Sequence, residues 1–187
     1  MNPTHPQQLK RMVYAALMAA LTAAGAYIAI PVGPVPIVLQ NLFVMLAGLL
    51  LGGRWALISM GVYLLAGAVG LPVFAGGAGG IGKFVGPTGG YLFGFAAAAF
   101  LIGIISERGR GRAVVDVMAM IAGTLVIYGF GVTWLKIITG MSFTRAVAVG
   151  MLPFLIGDAI KIAAAIPIAR ALRPMIDGSL RPVRSAG

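Results

Sequence analysis

Two oppositely charged residues, Asp158 and Lys161, stand inside an apolar run that extends over residues 152–169. The run is long enough to cross a bilayer, and a charged residue in such a span costs about 2.5–3.5 kcal/mol on insertion scales. Because the two residues are three positions apart, a helix places them about one turn apart on one face. The pair predicts a ligand site in a membrane protein, with a self-neutralising bridge between packed helices as the alternative.

The composition indicates an integral membrane protein. Of the 187 residues, 60% are hydrophobic and only 10% are charged, which predicts one membrane domain over 1–187, embedded from about 12 to 173, with polar tails at 1–9 and 177–187. The net charge is +10, but the basic residues cluster between apolar runs and therefore indicate topology and not nucleic-acid binding. With no cysteine, and with His5 alone in the N-terminal tail, no metal site or thiol chemistry is expected.

Six apolar runs predict an all-α fold of six transmembrane helices. They lie at about 12–30, 40–53, 55–70, 90–105, 113–138 and from 153 to 170. Basic clusters place both termini in the cytoplasm and leave only Lys83, Lys136 and Arg145 outside. The first run is followed by prolines and further spans, so no cleaved signal peptide is expected.

Two loops are predicted to cap an outward-facing pocket above Asp158. The first, residues 31–36, contains three prolines and is expected to be stiff. Gln40 and Asn41 follow it, either solvated at a helix start or offering amides to a ligand. The second, residues 71–90, is rich in glycine, which permits close backbone approach. It matches most of a phosphate-binding motif, but Phe84 replaces the Ser or Thr that would hold magnesium, so nucleotide binding is not predicted.

Small residues form two ladders along the first span. Small side chains let helix backbones approach closely in a membrane. The ladders predict either packing inside this protein or docking against a separate membrane protein. Their members, at intervals of four, are Ala15, Ala19 and Ala23 in one ladder and Ala16, Ala20 and Ala24 in the other.

Taken together, the spaced motifs resemble the BioY family, the biotin-specific substrate-binding components of energy-coupling-factor transporters. The motifs are Pro34-Val35-Pro36 followed by Gln40, residues 70–77, residues 86–91, and Gly157-Asp158 with Lys161. The resemblance implies a multi-pass protein of a prokaryotic cytoplasmic membrane that captures biotin at the outer face. It also implies an energising module of a membrane coupling protein and two ATPases, so that this chain is not an enzyme, and first-span alanines that face the coupling protein.

Biotin has an apolar bicyclic body, a ureido group and a carboxylate tail, and the expected site suits each part differently. Asp158 can accept from a ureido N–H, while Lys161 can donate to an oxygen and help to keep Asp158 ionised. Aromatic side chains can cover the rings. The carboxylate partner is left open between loop amides, Lys83 and Arg145, and no cofactor is expected because biotin is the cargo. The remaining expected site residues are Gln40, Phe74, Phe84, Thr88, Gly89 and Tyr91.

Two other membrane functions fit parts of the pattern. An intramembrane aspartyl protease needs two carboxylates in one site, but Asp116 is expected at the opposite membrane face from Asp158. A stand-alone secondary transporter or facilitator, for biotin or another small vitamin-like solute, would predict internal repeats and broken helices. No half-to-half repeat is evident, and this function is kept as the alternative.

Overall fold

A computed structural model shows a chain that is helical over most of its length. The structure describes residues 5–31, 34–109 and 111–180, so the outermost parts of both predicted tails (1–4 and 181–187), residues 32–33 of the proline loop and Arg110 lie outside it. In chain order the elements are α1 (His5–Tyr27), β1 (Ala29–Ile30), β2 (Ile37–Val38), α2 (Gln40–Ala68), α3 (Gly82–Val85), α4 (Gly89–Gly109), α5 (Ala113–Thr139), α6 (Phe143–Gly150), a 3-10 turn (Leu152–Phe154) and α7 (Leu155–Leu180).

Helix α2 folds back on itself at Gly52. The φ of 76° and ψ of 169° at this residue interrupt the helix, and glycine adopts a positive φ without the steric cost of a Cβ. Gln40 Nε2 donates to the Tyr63 hydroxyl at 2.5 Å, whereas two residues so far apart in a straight helix would be separated by about 35 Å. The two halves of α2 are therefore antiparallel, which agrees with the predicted turn just before Arg54.

At the centre of the bundle, glycines on two helices leave space for the side chain of a bulky residue on a third. Ile102 of α4 is fully buried. A Cβ at Gly48 would lie 2.7 Å from Ile102 Cγ2, and one at Gly123 would lie 2.5 Å from its Cδ1. Because lipid provides no hydrophobic drive between helices, close packing of this kind stabilises a membrane bundle, and it brings α2, α4 and α5 together.

Four helical stretches among the described residues are long and apolar enough to cross a membrane. They are Gln40–Ala68, Gly89–Gly109, Ala113–Thr139 and Phe143–Ser179. Helix α1 is not among them. With α2 counted as two segments and α1 included, the described residues form six long helical segments, the number expected from the sequence.

The terminal helices extend into the regions expected to be polar tails, because their ends bind each other. Helix α1 begins at His5 and α7 continues to Leu180. Lys10 Nζ donates to the Ser179 carbonyl at 2.6 Å, and the Tyr14 and Ser179 hydroxyl oxygens are 2.8 Å apart. These bonds fix the start of α1 against the end of α7.

Both loops at the other end of the bundle are anchored by backbone hydrogen bonds. The proline loop is framed by a two-stranded antiparallel ladder that pairs Ala29 with Val38 and Ile30 with Ile37, a short β element that an all-α prediction does not include. In the glycine loop, the Gly76 amide donates to the Ala26 carbonyl at 3.3 Å. The described parts of the two loops therefore lie beside the adjacent ends of α1 and α2.

At the end of the bundle opposite to these loops, one ion pair and two further hydrogen bonds of Arg173 connect four helix segments. Arg173 Nη2 of α7 donates to Asp116 Oδ2 of α5 and to Ser106 Oγ of α4, each at 3.1 Å. It also donates to the Leu49 carbonyl at 3.1 Å. The break at Gly52 leaves the last carbonyls of the first α2 segment without helical partners, so Arg173 satisfies one of them and places a cation at a helix C-terminus.

Candidate ligand-binding site

A cavity lies between the loop end of α2 and the facing parts of α4, α5 and α7. Its empty volume, including the open space at its mouth, is about 560 Å³. Most of the lining is apolar, with a few polar side chains that can orient a ligand. The lining residues are Val35, Pro36, Val38, Gln40, Asn41, Phe74, Ala75, Thr88, Tyr91, Leu92, Phe95, Ile127, Tyr128, Phe154 and Lys161.

Asp158 is buried beside this cavity in the first turn of α7, with 2% of its surface exposed. Lys161 Nζ donates to its Oδ1 at 2.9 Å, and the Tyr128 hydroxyl donates to its Oδ2 at 2.5 Å. Asn41 Nδ2 donates to Oδ1 at 3.5 Å. Hydrogen bonds to a carboxylate are about twice as strong as neutral ones, so Asp158 fixes side chains from α2, α5 and α7 in the cavity wall.

Two of these side chains keep unused hydrogen-bonding capacity. Asn41 Oδ1 is buried without a partner among the described residues, and an unpaired buried acceptor costs about 1–3 kcal/mol. Lys161 has three N–H donors, one of which is used by Asp158. The Asn41–Asp158 bond is the longest of the three and exceeds the usual range, so a ligand N–H can replace it. The group can therefore accept from N–H donors and donate to a carbonyl oxygen at the same time.

Two other polar side chains of the lining are held by the protein itself. Gln40 is bonded to Tyr63 through its amide nitrogen, and the Tyr91 hydroxyl donates to the Gly150 carbonyl at 2.6 Å. In these two bonds the Gln40 amide nitrogen and the Tyr91 hydroxyl are the donors. The Gln40 amide oxygen and the Tyr91 hydroxyl oxygen remain able to accept hydrogen bonds.

A series of aromatic contacts supports one side of the cavity. Phe74, which lines it, packs against Tyr63 and Phe84 with ring centroids 5.5 Å away in each case. Gly67 makes room for the Phe74 ring, since any Cβ there would overlap it. Phe84 in turn packs against Phe93, which contacts Trp134. These contacts favour a fixed orientation of Phe74 against a flat apolar ligand.

Comparison with known proteins decides the family. The BioY family model matches residues 1–178. The chain belongs to the BioY family. A probable biotin transporter BioY from Pyrococcus horikoshii is 44% identical over 164 residues, which cover 88% of this chain and 96% of that protein. The biotin transporter BioY of Thermotoga maritima is 40% identical over 167 residues, with 89% and 98% covered.

A solved structure shares the fold of this BioY-family chain. It is the crystal structure of the S-component for biotin from an ECF-type ABC transporter, with a TM-score of 0.87 and 32% identity. The match covers 96% of this chain and 100% of that one. The resemblance to BioY that the motifs indicate is therefore confirmed.

The structure brings most of the expected BioY site residues to one place. Gln40, Phe74, Thr88, Tyr91 and Lys161 line the cavity, and Asp158 is bonded to residues of its wall. Their roles in ligand binding stay predictions.

Phe84 and Gly89 are not part of this lining. Phe84 packs behind Phe74. Gly89 lies so close to the Phe84 carbonyl that a Cβ there would overlap it. Both residues therefore hold the aromatic wall in place instead of facing the cavity.

Sequence reasoning missed two tyrosines. Tyr128 binds Asp158 and Tyr63 binds Gln40. A tyrosine within an apolar span needs a hydrogen-bond partner for its hydroxyl. The presence of Tyr63 and Tyr128 in such spans could therefore have indicated buried polar contacts. The partners come from other helices, and the spacing within one span does not identify them.

The two alanine ladders of α1, offset by one residue, lie in different environments. Ala15 and Ala19 are buried and Ala23 is partly buried, and Ser59 Oγ of α2 donates to the Ala15 carbonyl at 2.8 Å. This ladder packs inside the protein. The other ladder is exposed along its whole length, at Ala16, Ala20 and Ala24.

Proposed function

We propose that this chain captures biotin and is the substrate-specific S-component of an energy-coupling-factor transporter. The observation that carries the proposal is the buried Asp158 with Lys161, Tyr128 and Asn41 at the wall of a largely apolar cavity. Relatives named as biotin transporters and the solved biotin S-component support it. Biotin is the cargo, and the proposal requires no cofactor in this chain.

The cavity suits the two chemically distinct parts of the biotin ring system. The ureido group has two N–H donors and one carbonyl acceptor. Asn41 Oδ1 and an Asp158 oxygen accept from the N–H donors, and Lys161 donates to the ureido carbonyl. The apolar faces of the rings pack against Phe74 and the aliphatic residues of the lining. Each polar group of the ureido ring is thereby paired where water is excluded.

The energy for uptake comes, in this proposal, from separate subunits. A membrane coupling protein and ATPases supply ATP hydrolysis, and this chain is the binding subunit and not an enzyme. The test is uptake of labelled biotin by bacteria that neither make nor import it, with and without the coupling module. Accumulation only with the module supports the S-component function. Equal accumulation by this chain alone would instead indicate the stand-alone transporter.

The proposed topology has six spans, both termini in the cytoplasm and the cavity open to the outside of a prokaryotic cytoplasmic membrane. Ile81, in the glycine loop, is 70% exposed, and Arg108 is exposed near the end of α4. Because the chain has no cysteine, single substitutions are specific probes. We expect Ile81→Cys to react with a membrane-impermeant maleimide in whole cells and Arg108→Cys to react only after lysis. The reverse pattern would place the cavity on the cytoplasmic side.

The exposed ladder of α1 is the proposed contact with the coupling protein. Ala20→Trp is expected to leave biotin affinity and thermal stability unchanged while reducing co-purification with the coupling protein and module-dependent uptake. Its matched control is Ala19→Trp, one position away on the buried ladder. Overpacking there costs about 1–3 kcal/mol or more, so thermal stability and biotin binding should fall together. Normal association and uptake with Ala20→Trp would show that the exposed ladder meets only lipid.

A further inference from the structure

Three exposed basic residues lie at the same end of the bundle as the cavity but outside its lining: Lys83, Lys136 and Arg145. Lys83, on α3, precedes Phe84, whose ring packs against Phe74 of the cavity wall. Arg145, on α6, lies about 7.5 Å along the helix axis from Gly150, whose carbonyl binds Tyr91.

Lys136 completes this set on α5. It lies two residues after Trp134. The Trp134 Nε1 donates to the carbonyl of Gly86, in the glycine loop that also contains Lys83, at 2.9 Å. None of the three cations forms an ion pair with an acid in the described part of the chain. We call Lys83, Lys136 and Arg145 the mouth cations.

No acidic residue balances the mouth cations locally. The chain has four acids, and Asp158 is already neutralised by Lys161. Glu107 lies about 27 Å along α4 from Gly89, Asp116 about 30 Å along α5 from Lys136, and Asp177 about 28 Å along α7 from Asp158. All three acids therefore lie near the opposite end of the bundle, and Asp116 is already paired with Arg173. The mouth therefore has a net positive field over a neutral site.

We propose that the mouth cations collect the anionic form of the ligand by electrostatic steering, and so set the association rate and the preference for a carboxylate-bearing molecule. Biotin carries a carboxylate that is ionised at neutral pH. A cleft lined by charge of one sign raises the local concentration of an oppositely charged ligand and its on-rate. The field acts before docking, so dissociation is governed by the Asp158 site. This inference rests on biotin being the ligand.

The test is rapid-filtration binding of labelled biotin to purified protein in phosphatidylcholine nanodiscs, which expose both faces. Raising ionic strength from about 0.01 M to about 1 M shortens the Debye length from about 30 Å to about 3 Å. We expect the biotin association rate constant to fall about tenfold over this range, with the dissociation rate constant unchanged. Biotinamide, which has no carboxylate, should show almost no salt dependence.

The decisive variant is the triple substitution Lys83→Gln, Lys136→Gln and Arg145→Gln. At low salt it should bind biotin several-fold more slowly, dissociate at the parental rate and bind biotinamide as the parent does. The matched control replaces three exposed cations at the far end, Arg54, Arg108 and Arg170, with glutamine, and should associate with biotin at the parental rate.

Each other outcome overturns the proposal in a distinct way. Parental association by the triple variant would exclude steering by the mouth cations. Faster dissociation without slower association would identify direct carboxylate contacts instead. If the far-end control variant associated with biotin equally slowly, the effect would come from the net charge of the protein and not from the mouth cations. Absence of any saturable biotin binding by the parental protein would contradict the proposed function itself.

Discussion

Asp158→Asn is expected to lower biotin affinity by about ten- to a hundred-fold. A charge-assisted hydrogen bond contributes about 1.5–3 kcal/mol, and the neutral amide provides a weaker one. The substitution also leaves Lys161, only 7% exposed, without its counter-ion, and breaking a buried pair costs about 3–5 kcal/mol. Binding by isothermal titration and thermal stability should therefore fall together in this variant.

A double substitution separates binding from folding. Asp158→Asn with Lys161→Met removes both charges, and replacing a whole buried pair is often neutral for stability. We expect the double variant to regain most of the parental thermal stability while biotin affinity stays at least about tenfold below it. Asp177→Asn, an exposed acid on the same helix, is the control and should bind normally. Parental biotin affinity in the double variant would show that the Asp158–Lys161 pair stabilises the fold and does not bind biotin.

Arg173→Met is expected to cause the largest loss of stability among substitutions far from the cavity. It leaves Asp116, 3% exposed, without a cation and removes a donor from the Leu49 carbonyl. Breaking this pair costs about 3–5 kcal/mol, which corresponds to a fall of about 10 °C in the unfolding midpoint for a chain of this size. Differential scanning fluorimetry in detergent measures it.

Two comparisons establish the cause. Asp116→Leu with Arg173→Met should recover much of the lost stability, because no unpaired charge remains. Arg170→Met removes an exposed cation three residues earlier on α7 and should change the midpoint little. Arg173 lies about 22 Å along α7 from Asp158, so folded Arg173→Met protein should retain biotin affinity. An unfolding midpoint equal to that of Arg170→Met would contradict a stabilising role for the ion pair.

The features that were predictable from sequence are those encoded within one helix or one loop. Asp158 and Lys161 pair as their three-residue spacing indicates. Gly52 reverses α2 close to Arg54, where glycine and charge interrupt the apolar run. The proline and glycine loops both contribute to the cavity lining, through Val35 and Phe74 for example.

The features that were not predictable depend on which helices become neighbours. Tyr128 is thirty residues from Asp158, and nothing in either span indicates their contact. The two alanine ladders have equivalent spacing, and only the packing of α2 against α1 shows that Ala15 is buried and Ala16 is exposed. Phe84 belongs to the expected aromatic set, yet Phe74 occupies the position between it and the cavity.

Titration of purified protein with biotin tests whether the Asp158 cavity is a biotin site. We expect saturable binding of one biotin per chain by isothermal titration calorimetry. We also expect that excess unlabelled biotin, but not a ring-opened analogue without the ureido group, displaces labelled biotin. Folded protein that shows no saturable biotin binding, or that binds the analogue equally well, would contradict the assignment of the Asp158 cavity as a biotin site.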